Sequence, residues 1–231
     1  MDFKDNRKRK IVFVSHCILN QNLRFPGIAV QAGACSELVE KLLENDLGIE
    51  QIPCLERLGW GGVSRKNYFR YQPLFFDYAD TFLSGLIKFF GALWIYKYGL
   101  LCKREARRIV KHTKDYIDSD YSVVGIITVN DSPTDGITQT LDLLRSAEKL
   151  KTIKHGREIL RNPELDKMRE SIPLLCEKGT GIFAKRLKRE LKKKNIDIKI
   201  VGYDPWADQE VESKRVISDL KNGGFEPSKK A

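Results

Sequence analysis

The stretch that most limits what this chain can become is Ile11-Val12-Phe13-Val14-Ser15, followed at once by His16-Cys17. An apolar run with no polar alternation, three of its residues β-branched, reads as a strand buried on both faces, the kind found in parallel sheets. Cys17 then stands where that strand ends. In open α/β sheets ligands gather outside the carboxyl ends of the strands, so a cysteine there is placed for chemistry.

Later segments repeat the pattern. A helix is predicted from about Val30 to Asn45, with Leu38, Val39, Leu42 and Leu43 on one face. Leu47-Gly48 ends it, and a second strand, Ile49–Pro53, leads into Cys54-Leu55-Glu56. The third strand, Tyr121–Asn130, delivers Asp131-Ser132-Pro133-Thr134-Asp135-Gly136. Residues 137–170 read as loosely helical. Gly179-Thr180-Gly181 opens a helix through Lys194, buried through Ile182, Phe183, Leu187 and Leu191, and a fourth strand spans Asp197–Gly202. Backbone N–H groups at Gly179-Thr180-Gly181 suit an anion, or simply a helix start.

Between the second and third strands lies a helical and aromatic insert, 57–118. Its first part, 57–78, reads as a long glycine- and aromatic-rich loop, either a lid or pocket wall or a small core over the sheet edge. Phe82–Leu101 is apolar and, at 20 residues, long enough to cross a bilayer. Lys88 and Lys97 argue against that, since a lysine near the centre costs about 3 kcal/mol on insertion scales. The segment is expected to pack on the sheet or cover a pocket, with peripheral membrane contact and a span as alternatives. A separate amphipathic helix, Lys103–Asp118, follows.

Together these elements predict an α/β fold: one three-layer, Rossmann-like domain over 10–222 with a mainly parallel sheet, preceded by a basic lead-in at 1–9 and followed by a disordered tail at 223–231. The start of the chain carries no apolar secretory segment, and five cysteines at scattered spacings, none in a CxxC pair, suit a reducing compartment, so a cytoplasmic protein is expected. The net charge of +10 admits a nucleic-acid or anionic-membrane partner. Much of the excess falls on one solvated helix, Lys185 to Lys194, and on the termini, with no aromatic-interleaved RNA-binding signature.

A parallel sheet would bring Cys17, Cys54, Glu56, Ser132 and Asp135 to one rim. Two thiolates and a carboxylate there can hold a metal ion or an iron–sulfur cluster. A second carboxylate and a hydroxyl can move protons or activate a nucleophile. Cys35 and Cys102 read as buried small hydrophobes, and Cys176 as a loop residue. His16, His112 and His155 have no metal-ligand spacing, and His16 draws interest only through its neighbour Cys17.

At these residues the sequence resembles the 2-thiouracil desulfurase family, in particular its desulfidase-like members. Val14 to Asn22 resembles the family's opening VS-x-C-L-L motif, and Pro53-Cys54-Leu55-Glu56 is similar to its P-C-P-E motif, with Leu55 in place of proline. Ser132-Pro133-Thr134-Asp135-Gly136 resembles its S-P-S-C-G segment, and Gly179 to Ala184 its glycine-led helix. The resemblance implies a 4Fe-4S cluster held by three protein ligands, with one iron open to a small thiolated substrate. Cys17 and Cys54 would be ligands, and Glu56 and Ser132 the catalytic acid/base and its polar partner. The third ligand position holds Asp135 instead of cysteine. The expected outcomes are a cluster on Cys17, Cys54 and Asp135, substitution by Cys35 or Cys176, a mononuclear metal on the same three residues, or a module of this fold that has lost the cluster and binds a ligand or nucleic acid without catalysis.

Overall fold

The computed structural model describes residues 5–78, 81–154 and 156–222. Residues 1–4 of the expected lead-in, the tail at 223–231 and His155 lie outside them. The elements run β1 (Lys10–Ser15), α1 (His16–Leu19), a 3-10 turn at Gln21–Leu23, α2 (Ser36–Glu44), β2 (Gly48–Ile52), α3 (Leu55–Gly59), α4 (Lys66–Tyr78), α5 (Ser84–Asp118), β3 (Ser122–Val129), β4 (Gln139–Leu141), α6 (Leu143–Lys149), α7 (Gly156–Arg161), α8 (Leu165–Leu175), β5 (Cys176–Lys178), α9 (Ile182–Lys193), β6 (Ile200–Tyr203) and α10 (Gln209–Lys221).

Four strands form a sheet in the order β2-β1-β3-β6, every neighbouring pair parallel. Helices cover both faces, as the continuous apolar strands require. Val12 and Val14 of β1 meet Leu38 and Leu42 of α2 and Val216 and Leu220 of α10 on one face. On the other, Phe13 meets Cys102, Ala106 and Ile109 of α5 and Phe183 and Leu187 of α9. This is a Rossmann-like α/β fold. In β3, Val124 is an extra residue: Ile11 pairs with Val123 but Val12 pairs with Gly125. The bulge breaks the two-residue alternation, so Val123 and Ile126 face the same layer.

Four expectations need correction. The helix predicted from Val30 begins only at Ser36. Gln21 is the reason: its backbone N–H donates to Gly33 O, its side chain donates to Cys17 O and accepts from Val30 N, and the intervening loop is thereby folded back onto α1. The aromatic loop at 57–78 is helical from Lys66 onward. Phe82–Leu101 and Lys103–Asp118 are one helix, α5, of 35 residues and about 52 Å at 1.5 Å per residue. Nothing between Leu101 and Lys103 breaks a helix, and Gly99 is accommodated where α5 passes the protein interior. Finally, residues 137–170 include β4, which pairs antiparallel with β5.

One packing contact positions the rim. The first amides of α9 do not face solvent or an anion. Gly181 N–H donates to Gly136 O at 2.8 Å, Ile182 N–H to Pro133 O at 3.0 Å and Phe183 N–H to Thr134 O at 3.0 Å. The free donors of the helix start thus hold the turn after β3. A Cβ on Gly181 would come within 2.4 Å of Thr134 O. Gly181→Ala is therefore expected to destabilise the fold by about 1–3 kcal/mol through overpacking against backbone, seen as a lower midpoint in denaturant unfolding.

Candidate functional site

The sheet order reverses between β1 and β3, because the chain leaves β1 for β2 on one side and later returns to place β3 on the other. Crevices at such switch points, outside the carboxyl ends of the strands, are where ligands bind in open α/β sheets. Here the strand ends open on a partly open cavity of about 120 Å³. That is several times the ~10–15 Å³ needed to hold one water. Cys17, Cys54, Glu56, Ser132 and Asp135 all line it, from three separate chain segments.

Each side chain reaches the cavity for a local reason. Ser15 ends β1 and the chain turns directly into α1, which puts His16 and Cys17 in its first turn. Cys54 caps α3 after β2, and Glu56 lies in the first turn of that helix. Ser132 and Asp135 sit on the turn held by α9.

The polar contacts run between these segments. Ser132 Oγ accepts from the backbone N–H groups of Thr134 and Asp135, each at 3.1 Å. With both lone pairs engaged, its proton is directed to Glu56 Oε1, 3.1 Å away. Thr134 Oγ1 also donates to Glu56 Oε1, at 3.3 Å, and the Tyr98 hydroxyl lies 2.7 Å from Thr134 Oγ1. Oε1 is thus committed, and Oε2, 4.0 Å from Arg65 Nη2, is the oxygen left to carry a proton. Asp135 Oδ2 accepts from Ser15 Oγ at 2.8 Å, tying the β3 turn to β1.

Burial dominates the electrostatics. It raises the Glu56 pKa, against the opposing pull of Arg65 and of the Ser132 and Thr134 hydroxyls. It pushes Asp135 up to about 7, against its bond from Ser15 and with the help of nearby Glu56. Burial likewise raises Cys54 to about 11 and Cys17 well above the usual thiol range. Arg24 offsets part of the Cys17 shift, while Asp135, Cys54 and Glu56 add to it. His16 is lowered by burial and by Arg57.

Sequence reasoning missed Arg65, which is fully buried. Its guanidinium donates to Leu23 O, Gly62 O, Val63 O and Cys54 Sγ, the last at 3.3 Å. It sits at φ 52° after Gly61 and Gly62, both also at positive φ. The glycine pair flagged a tight turn, but nothing local showed that the turn delivers an arginine inward. Arg24, Ser15, Thr134 and Tyr98 were also missed. The aromatic insert does form a wall: Trp60 stacks on Tyr68 at 5.2 Å, with Phe25 edge-on to Tyr68.

Among the described residues, no three His, Cys, Asp or Glu side chains converge tightly enough to hold a single metal ion. Cys17, Cys54 and Asp135 do line the same cavity, and a multinuclear cluster would take them one to each iron. The donor set fits a cluster in its charge as well. These three groups and Glu56 crowd one buried space: Glu56 and Asp135 raise the pKa of both thiols, Glu56 raises that of Asp135, and a cationic centre would let the ligands ionise together. Two buried donors on lining residues, Trp60 Nε1 and Arg65 Nε, have no partner within the protein and are available to a bound group. Neither substitute cysteine joins the set. Cys35 faces the α2/α10 layer, where Gln21 Nε2 bonds it, and Cys176 begins β5 beside Asp131. Cys102 is buried behind Tyr98 in the α5 layer.

No family model matches this chain, and no solved structure matches it. A protein of Methanocaldococcus jannaschii, described as uncharacterized protein MJ0003, is 28% identical over 189 residues, covering 80% of this chain and 98% of its own. The relative's description names no activity.

Folded Asp135 keeps its proton to about pH 7, whereas an unfolded aspartate releases it near 3.9. Between those values the folded state binds more protons, so this group makes metal-free protein less stable as pH rises. Asp135→Asn removes the effect. Its melting temperature relative to the native chain, measured with chelator present, is expected to climb from pH 4 to pH 7.

Proposed function

We propose that this chain is an iron–sulfur-dependent desulfidase that removes sulfur from a small thiolated compound with a thiouracil-like thiocarbonyl. The observation that carries the reading is the Ser132–Glu56 hydrogen bond in a cavity also lined by Cys17 and Cys54. A cluster held by Cys17, Cys54 and Asp135 would supply a Lewis-acidic iron for soft sulfur. The five unpaired cysteines suit the reducing cytoplasm in which such a centre survives.

The chain's own residues account for the proton traffic. Replacing thiocarbonyl sulfur by oxygen from water gives a carbonyl and hydrogen sulfide. No electrons are consumed, but two protons must pass from water to sulfur. Glu56 suits that task because burial lets it keep a proton at higher pH than a solvated carboxyl, and Oε2, which Ser132 and Thr134 leave unbonded, carries it. Ser132 holds Oε1, fixing the carboxyl plane. Arg65 limits how far the pKa rises, so the group still ionises to serve as base. Phe25, Tyr68 and Phe69 line the cavity over the buried Trp60, an aromatic wall that suits a heteroaromatic ring and keeps bulk water out.

The test is sulfide release from 2-thiouracil and other thiolated pyrimidines by anaerobically reconstituted protein. Glu56→Gln is expected to lower kcat by about 10²–10⁴-fold, with iron content unchanged. Ser132→Ala should retain iron and shift the pH profile of kcat/KM, because it removes a bond that lowers the Glu56 pKa. Full turnover by Glu56→Gln would refute the assignment.

A further inference from the structure

The outer face of α5 changes character along its length. Leu86, Phe89, Phe90, Leu93, Tyr96 and Leu100 recur at helical spacing and are exposed, Phe89 by 63%, Phe90 by 57% and Tyr96 by 65%. Continuing along the same face at 3.6 residues per turn come Lys97, Arg104, Arg107, Arg108 and Lys111. The inner face of the helix is committed to the protein through Tyr98, Cys102, Ala106 and Ile109. Beside the basic half, α9 turns Lys185, Lys188, Arg189 and Lys192 outward. Glu105 and Glu190 pair with Arg104, Arg107 and Arg108, yet Arg104 remains 74% exposed. The apolar half is broadened by α4, which exposes Tyr71 and Leu74 along an apolar groove of about 570 Å³ between the two helices.

We propose that this face docks on the surface of an anionic lipid bilayer. The composition is that of an interfacial helix: aromatic and aliphatic side chains on one stretch, basic ones beside it. An apolar face and a polybasic patch are two separate signals, and together they hold a protein on a membrane more firmly than either alone. Charge selects this occupant. A second copy of the chain would cover the apolar stripe but leave the basic run of α5 and α9 unneutralised, whereas an anionic surface satisfies both. Spanning is disfavoured, although α5 is long and apolar enough to cross a membrane: its inner face is packed against the sheet from Tyr98 onward, and Lys88 and Lys97 interrupt the apolar window. Docked this way, α5 lies in the plane of the surface. Lys97 can lay its stem along the apolar stripe with its ammonium among the headgroups.

The test is co-sedimentation of the full chain with vesicles of phosphatidylcholine alone and of phosphatidylcholine mixed with phosphatidylglycerol. Binding to the anionic vesicles is expected, falling as salt is raised. Phe89→Ser/Phe90→Ser/Leu93→Ser, all at exposed positions, should weaken it by roughly tenfold or more. Arg104→Glu/Arg107→Glu/Lys111→Glu should abolish the preference for anionic lipid, and far-ultraviolet circular dichroism checks that both variants are folded. Equal binding to both vesicle types, or no binding together with a dimer in gel filtration that the apolar variant dissociates, would overturn the proposal.

Discussion

The start of α9 lies against the turn after β3, and the site depends on that contact. Three amides that a helix leaves without partners meet three carbonyls of a turn that would otherwise be free to move. The approach is close enough that only glycine fits at position 181. Because the turn is held, Ser132 can spend both lone pairs on backbone N–H groups and point its proton at Glu56. The same turn carries Asp135 to Ser15 at the end of β1. A helix terminus that sequence alone leaves open to anion binding is occupied by the protein itself.

Around that contact the fold concentrates groups that would not share a buried space without a reason. Two thiols and two carboxyls are gathered at the point where the sheet order reverses, and their pKa values rise together. Two arginines, Arg24 and Arg65, offset part of the cost. Unpaired buried charge is expensive, so such a set is stable only if its members stay protonated or a cation joins them. The raised pKa values favour the first condition in the metal-free chain, and the proposed cluster would meet the second.

How much of this was legible in the sequence follows from the physics of each part. The strands were readable because a strand buried on both faces must be continuously apolar, and Ile11–Val14 and Val123–Ile127 are. Their ends then located Cys17, Cys54, Glu56, Ser132 and Asp135 on one rim. Partners separated by long stretches of chain were not readable: Tyr98 to Thr134, Ser15 to Asp135 and Arg65 to Leu23 depend on how the elements assemble, which periodicity does not encode. The three-residue strands β4 and β5 are too short for any pattern. The late start of α2 was hidden because Gln21, a polar residue outside the helix, decides it by bonding the loop.

The central claim is that Cys17, Cys54 and Asp135 hold a cluster despite the carboxylate in the third position. Anaerobic reconstitution with iron and sulfide, followed by metal and sulfide analysis, tests it most directly. The account predicts about four irons per chain with the broad visible absorption of thiolate-bound clusters. It also predicts that iron is lost in Cys17→Ala and in Cys54→Ala and kept in Cys35→Ala and Cys176→Ala. A chain that retains no iron, or one whose iron survives removal of Cys17 and Cys54, would contradict it.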